Sequence, residues 1–131
     1  LDKIGKIDSY TFMDLWQVNM LIKRFVENSE FSAKYITSTM RDTQRRNSWD
    51  LAISNYAFSE LPMNLQLNYC DEIISCSNYG YMTMNSGKEG RFGNIRNMSQ
   101  KDLMSKISGC SFSAERPCTA PNNYILTWGK T

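Results

Sequence analysis

Apolar positions change their period several times along this chain, and each change marks an element. Residues 9–13 are rich in β-formers and stop sharply at Asp14. From Leu15 the spacing turns helical. Leu15, Val18, Leu21, Ile22, Phe25 and Val26 fall on one stripe of the kind that faces a core, with Lys23, Arg24 and Glu27 mostly off it. The pattern predicts a strand, an acidic turn and a helix. A weaker extended segment follows at 34–39, and the polar stretch 41–48 predicts a loop.

The third unit is the clearest. Residues 49–55 have the short apolar core expected of a buried parallel strand. Pro62 suits the first turn of a helix, where its missing N–H costs nothing, and Leu65, Tyr69, Ile73 and Ile74 supply a helical face to about Ser77. Residues 79–85 predict another buried strand, closed by Ser86-Gly87. Glycines and charges mark 88–97 as a mobile surface loop. Ser99 and Asp102 resemble a capping box with Asp in place of Glu; Leu103, Met104 and Ile107 continue the helix, and Gly109 suits its C-terminal cap. Two β-like pieces, 110–115 and 124–128, predict a closing antiparallel hairpin. Repeated strand–helix units of this kind predict an α/β fold, a mostly parallel sheet with covering helices.

Composition narrows the picture. At 131 residues the chain suits one domain, and 41% apolar with 21% charged residues is ordinary for a globular protein. A net charge of +2 predicts no nucleic-acid surface. The densest positive cluster, Arg41 with Arg45 and Arg46, reads as a solvated loop or helix end, or as a phosphate contact. No apolar run reaches the roughly 18 residues of a membrane span, and no signal-peptide pattern follows Leu1. Leu1 in place of Met reads as a processed chain or a piece of a longer one. With no histidine and four cysteines, Cys70, Cys76, Cys110 and Cys118, at no metal-binding spacing, the expectation is free thiols, a cytoplasmic setting and no metal site. A Cys110–Cys118 bridge would need an oxidising compartment.

Three phrases carry a family resemblance: Tyr10-Thr11-Phe12-Met13-Asp14-Leu15, then residues 50–61 with Ile53-Ser54-Asn55-Tyr56-Ala57-Phe58-Ser59-Glu60-Leu61 at their heart, then Tyr81-Met82-Thr83-Met84-Asn85-Ser86-Gly87. In this order they resemble the later part of the sugar O-methyltransferase family, a branch of the class I S-adenosylmethionine-dependent methyltransferases. The closing Tyr124-Ile125-Leu126-Thr127-Trp128-Gly129 is similar to that family's last strand. The resemblance implies a Rossmann-like sheet ordered 3-2-1-4-5-7-6 with only strand seven antiparallel, entered here at strand two. Strand one and the glycine-rich turn that grips the cofactor are missing, since residues 1–8 hold only Gly5. The chain alone is therefore expected to be inactive, its partners the absent N-terminal half of the domain and a small-molecule or glycan acceptor.

The resemblance also assigns roles. Asp14, at the end of its strand, would bind both ribose hydroxyls of S-adenosylmethionine, or would act as a plain helix cap. Asn55 and Tyr56 end a strand at the ligand crevice and would contact the cofactor; Arg41 and Asp42 would lie near its adenine. O-methylation benefits from a base that takes the alcohol proton, and without histidine Glu60 is the candidate, its alternative a structural cap or ion pair. Ser59, Asn85 and Ser86 would hydrogen-bond the acceptor, or serve as polar turn residues. Met13, Met20, Met82 and Met84 read as core. Two rivals remain open: a non-catalytic interaction module, and another nucleotide-binding α/β enzyme such as a glycosyltransferase or dehydrogenase.

Overall fold

The computed structural model describes residues 7–37 and 48–129; the first stretch belongs to one compact unit, Leu1–Thr43, and the second to another, Gln44–Thr131. In the first unit β1 (Ser9–Asp14) and β2 (Ser32–Thr37) pair in parallel, from Ser9 opposite Ser32 to Asp14 opposite Thr37. Parallel neighbours need a crossover, and α1 (Trp16–Val26) supplies it. β2 begins two residues earlier than the pattern predicts, and positions 38–39 lie outside the described residues. Phe12 stacks on Tyr10 at 4.5 Å and on Tyr35 of the neighbouring strand at 5.6 Å.

The apolar stripe of α1 is covered only in part, at the half-buried Ile22 and Val26. Leu15, Val18 and Leu21 are exposed, and Phe25 is 80% exposed. The buried residue of this helix is polar: Asn19 donates from Nδ2 to the carbonyls of Asp14 (3.2 Å) and Ile36 (2.9 Å), tying the helix to the ends of both strands. A ribbon of two strands offers too little apolar area to cover such a stripe, so amide hydrogen bonds do the fastening.

The second unit runs β3 (Trp49–Asn55), α2 (Ala57–Glu60), α3 (Met63–Tyr69) with a π-helical extension Cys70–Ile74, and β4 (Ser77–Met84). It continues through a small hairpin, β5 (Arg91–Phe92) with β6 (Ile95–Arg96), then α4 (Gln100–Lys106), β7 (Ser111–Ala114) and β8 (Tyr124–Gly129). The sheet order is β3-β4-β8-β7. β3 and β4 are parallel, and β8 runs antiparallel to both of its neighbours. The sheet is thus mixed rather than mostly parallel by pairing, because the one reversed strand lies inside the sheet and not at its edge. The fold is mixed α/β.

Alternation sorts the two faces of this sheet. Met82, Met84, Tyr124, Leu126 and Trp128 form a core with Phe58, Cys70, Ile74, Met98, Leu103 and Ile107. Gly80 is required there: a Cβ on it would stand 2.0 Å from the indole of Trp128. The opposite face is open, with Leu51, Ile53, Tyr79 and Tyr81 exposed. Of the strands expected to be fully buried, β4 is buried on one face only, and β3 is half-buried on one face and exposed on the other.

Residues 88–97 are not the expected mobile loop. Arg91 N–H donates to Ser86 O (2.7 Å), Asn97 N–H to Gly90 O (2.9 Å), and Asn97 Nδ2 to Leu61 O (2.5 Å). Gly90 holds a φ of +73°, and a Cβ there would come within 2.5 Å of Asn97 O. The glycines serve a tight, fastened hairpin. Just beyond it, Ser99 and Asp102 form the anticipated reciprocal cap of α4, and these hydrogen bonds hold the Asp102 carboxyl below its usual range. All four cysteines are free. Among the described residues no helix is long and apolar enough to cross a membrane.

Candidate functional site

The carboxyl ends of β3 and β4 lie side by side, with Asn55 opposite Thr83. The chain leaves β3 through Tyr56, whose φ of +64° is a left-handed conformation that costs a non-glycine residue roughly 1–2 kcal/mol. Its N–H donates to both the carbonyl (2.9 Å) and Oγ1 (3.1 Å) of Thr83, which helps to offset that strain. The turn carries the backbone at once into α2, where Ser54 Oγ accepts the N–H of Phe58 (3.0 Å).

Ser59 is fully buried. Its hydroxyl lies 2.7 Å from Tyr56 O and 2.6 Å from Asn85 Oδ1, and it accepts the Asn85 N–H at 3.1 Å. Its hydrogen bonds hold Asn85 in place rather than meeting a ligand. Asn85 in turn donates from Nδ2 to Oε1 of Glu60 (3.0 Å), an exposed residue. Tyr56, Ser59, Glu60 and Asn85 are thereby one linked cluster at the tips of two adjacent strands.

A second set of residues meets Tyr56 from the connection between β7 and β8. The Tyr56 hydroxyl donates to Oε1 of Glu115, a carboxylate only 7% exposed. Oε2 accepts from Thr119 N (2.9 Å), Thr119 Oγ1 (2.7 Å) and Asn123 Nδ2 (3.2 Å). A buried carboxylate without a cation survives when donors satisfy both oxygens. The Tyr56 hydrogen bond, followed by those from Thr119, pulls the Glu115 pKa down to about 2; the same bond to Glu115 raises that of Tyr56. At neutral pH Glu115 is an ionised acceptor and Tyr56 a neutral phenol.

Between these groups lies an open groove of about 420 Å³, lined by Tyr56, Asn85, Phe92, Thr119, Ala120, Pro121 and Asn123. It offers two aromatic rings, two carboxamides and two hydroxyls, those of Tyr56 and Thr119. Glu60, exposed and hydrogen-bonded to the lining residue Asn85, is the candidate for a general base.

Of the residues expected from sequence, Tyr56 and Asn85 line the groove, Glu60 joins them through Asn85, and Ser59 supports them from beneath. Asn55 is exposed at the tip of β3 but stands outside the hydrogen-bonded cluster and the groove lining. Ser86 is 2% exposed, so its hydroxyl faces the interior. Asp14 ends β1 in the other unit, where Oδ1 accepts the N–H of Leu15 (2.7 Å). Arg41 and Asp42 lie outside the described residues. Glu115, Thr119, Asn123 and Phe92 escaped the sequence reading. In the sequence Glu115 is legible only as a charge ending a β-like piece, Asn123 as part of the connection after it, and Phe92 as part of a glycine-containing loop.

Compared with known proteins, the chain matches no family model and no curated sequence.

Proposed function

We propose that Leu1–Thr131 is the later part of a class I S-adenosylmethionine-dependent methyltransferase that, when whole, methylates a hydroxyl group on a sugar. The observation that carries this reading is the sheet order β3-β4-β8-β7 with β8 alone reversed, which corresponds strand for strand to the succession 4-5-7-6 of a Rossmann-like methyltransferase sheet. The parallel β1 and β2, joined by α1, would then be strands two and three. In open α/β sheets ligands gather at the carboxyl ends of the strands, the end where Tyr56, Glu60 and Asn85 cluster.

S-adenosylmethionine, when bound, supplies a methyl group on a positively charged sulfur. Within the first unit the group this reading assigns to the ligand is the Asp14 carboxylate, one oxygen of which is already engaged by Leu15; within the second it is the polar end of β3. They offer no glycine-rich turn, which this reading assigns to a preceding part of the same domain. Glu60 takes the proton of the acceptor hydroxyl, Asn85 fixes the Glu60 carboxylate, and Asn55 and Tyr56 border the cofactor. The expected setting is cytoplasmic glycan tailoring.

The test joins the chain to its upstream coding sequence and titrates S-adenosylmethionine by calorimetry. Binding is expected, with Asp14→Ala weakening it about tenfold or more. Glu60→Gln should lower methyl transfer about 100-fold without changing cofactor affinity. No binding, or unchanged affinity in Asp14→Ala, would sink the assignment.

One observation favours a second reading, a non-catalytic interaction module: Leu21, Phe25, Leu51 and Ile53 are exposed apolar residues. That alternative expects a start codon near Leu1 and no cofactor binding by the extended chain.

A further inference from the structure

The groove has a chemical character that the reaction type alone does not dictate. Its volume of about 420 Å³ falls within the range of roughly 300–1,000 Å³ typical of small-molecule clefts. None of its lining residues is charged. Two carboxylates are hydrogen-bonded to that lining, Glu115 to Tyr56 and Glu60 to Asn85, and both bring negative charge to it.

The two arginines of the hairpin that carries Phe92 are turned elsewhere. Arg91 and Arg96 face each other across the β5–β6 hairpin, while Phe92 pairs with Ile95. Side chains alternate along a strand, so the arginines occupy the face opposite the one from which Phe92 lines the groove. A phosphate or carboxylate entering it would find no cationic side chain among the lining residues, two of which, Tyr56 and Asn85, already carry hydrogen-bonded carboxylates.

Asn123 has its amide nitrogen engaged by Glu115 and Thr119, which aims its carbonyl oxygen elsewhere as an acceptor. The phenolic oxygen of Tyr56, which also lies 3.1 Å from Thr119 Oγ1, has two lone pairs and keeps acceptor capacity beyond that contact and the bond it donates. Phe92 presents an aromatic surface on a hairpin fastened through Gly90 and Asn97.

We propose that this groove receives an uncharged pyranose ring of the acceptor, with Phe92 as the stacking wall that determines specificity and Asn123 and Tyr56 as acceptors for its hydroxyls. The proposal rests on the methyltransferase reading only in naming the ring as the acceptor's. It excludes sugars that carry phosphate or carboxylate on the bound ring.

The test is NMR titration of the ¹⁵N-labelled full chain with methyl α-D-glucopyranoside and methyl α-D-galactopyranoside, set against glucose 6-phosphate and methyl glucuronide. At least one neutral glycoside should give saturable shifts at Tyr56, Phe92 and Asn123 with a Kd on the order of 1–10 mM, and the anionic sugars should bind about tenfold more weakly or not at all. Phe92→Trp should retain binding, whereas Phe92→Leu, which keeps the hairpin's apolar packing, should weaken it about fivefold or more. The proposal is overturned by anionic sugars binding as tightly as neutral ones, by unchanged affinity in Phe92→Leu, or by the absence of saturable shifts with both neutral glycosides. The separate cofactor titration judges the methyltransferase reading, so glycoside binding without cofactor binding would sink that reading and leave this one standing.

Discussion

The phenol of Tyr56 and the carboxylate of Glu115, 59 positions apart in sequence, share a hydrogen bond that fastens the β7–β8 connection to the tip of β3. Glu115 is ionised in the fold down to about pH 2, against an ordinary value of 4.5. A folded-state pKa below the unfolded one means stability that is full above pH 4.5 and is lost as the pH falls toward 2. Glu115→Gln should therefore lower the melting temperature at neutral pH, because an amide nitrogen would confront the donors of Thr119 or Asn123. It should also flatten the fall in stability between pH 4.5 and 2, measured by circular dichroism melts across that window. An unaltered acid profile would show that Glu115 does not carry it.

Ser59→Ala probes the support beneath the site. The substitution removes the hydroxyl that accepts the Asn85 N–H and holds its side-chain carbonyl, leaving buried polar groups without partners. The expected cost is about 1–3 kcal/mol in urea unfolding. Ser59→Cys, with a weaker and longer donor, should fall between. A cost below about 0.5 kcal/mol would mean that Asn85 finds its place without this help.

These two residues also mark where the sequence stops being legible. Strands β3, β4 and β8 could be read because alternation and apolar runs are local signals, and α4 because Ser99 and Asp102 are three positions apart. Tyr56, Glu60 and Asn85 were found through the phrases around them. Glu115 was not, because nothing near it in the chain reveals that its partner lies 59 residues earlier. The stripe of α1 misled for the opposite reason: a 3.6-residue period predicts a helix but cannot say what covers it, and Asn19, the residue buried there, breaks the apolar rule.

Gly80→Ala tests the packing of the sheet. The new Cβ would lie 2.0 Å from the Trp128 ring, and both are held in paired strands, so neither backbone can retreat cheaply. Overpacking of this kind costs about 1–3 kcal/mol and occasionally more. The expected result is a loss at the upper end of that range with altered tryptophan fluorescence, partly restored by a second change, Trp128→Leu. Equal stability of Gly80→Ala and the unaltered chain would place the indole elsewhere.

Thiol chemistry offers a check that needs no substitution. Cys70 is buried in the core, and desolvation, with the nearby Asp71 charge adding to it, pushes its pKa to about 12. Only the thiolate is nucleophilic, so Cys70 is inert in the fold at pH 8 for two reasons, access and charge. Cys118 is exposed on the β7–β8 connection. Iodoacetamide followed by peptide mass spectrometry should label Cys118 first and Cys70 last, with Cys70 reacting only as denaturant unfolds the second unit. Cys110, half-buried and also raised by burial, should come between them. Early labelling of Cys70 under native conditions would mean that the helix from Met63 through Ile74 opens readily, and the Gln66–Phe58 hydrogen bond that ties it to α2 would then be lost with it.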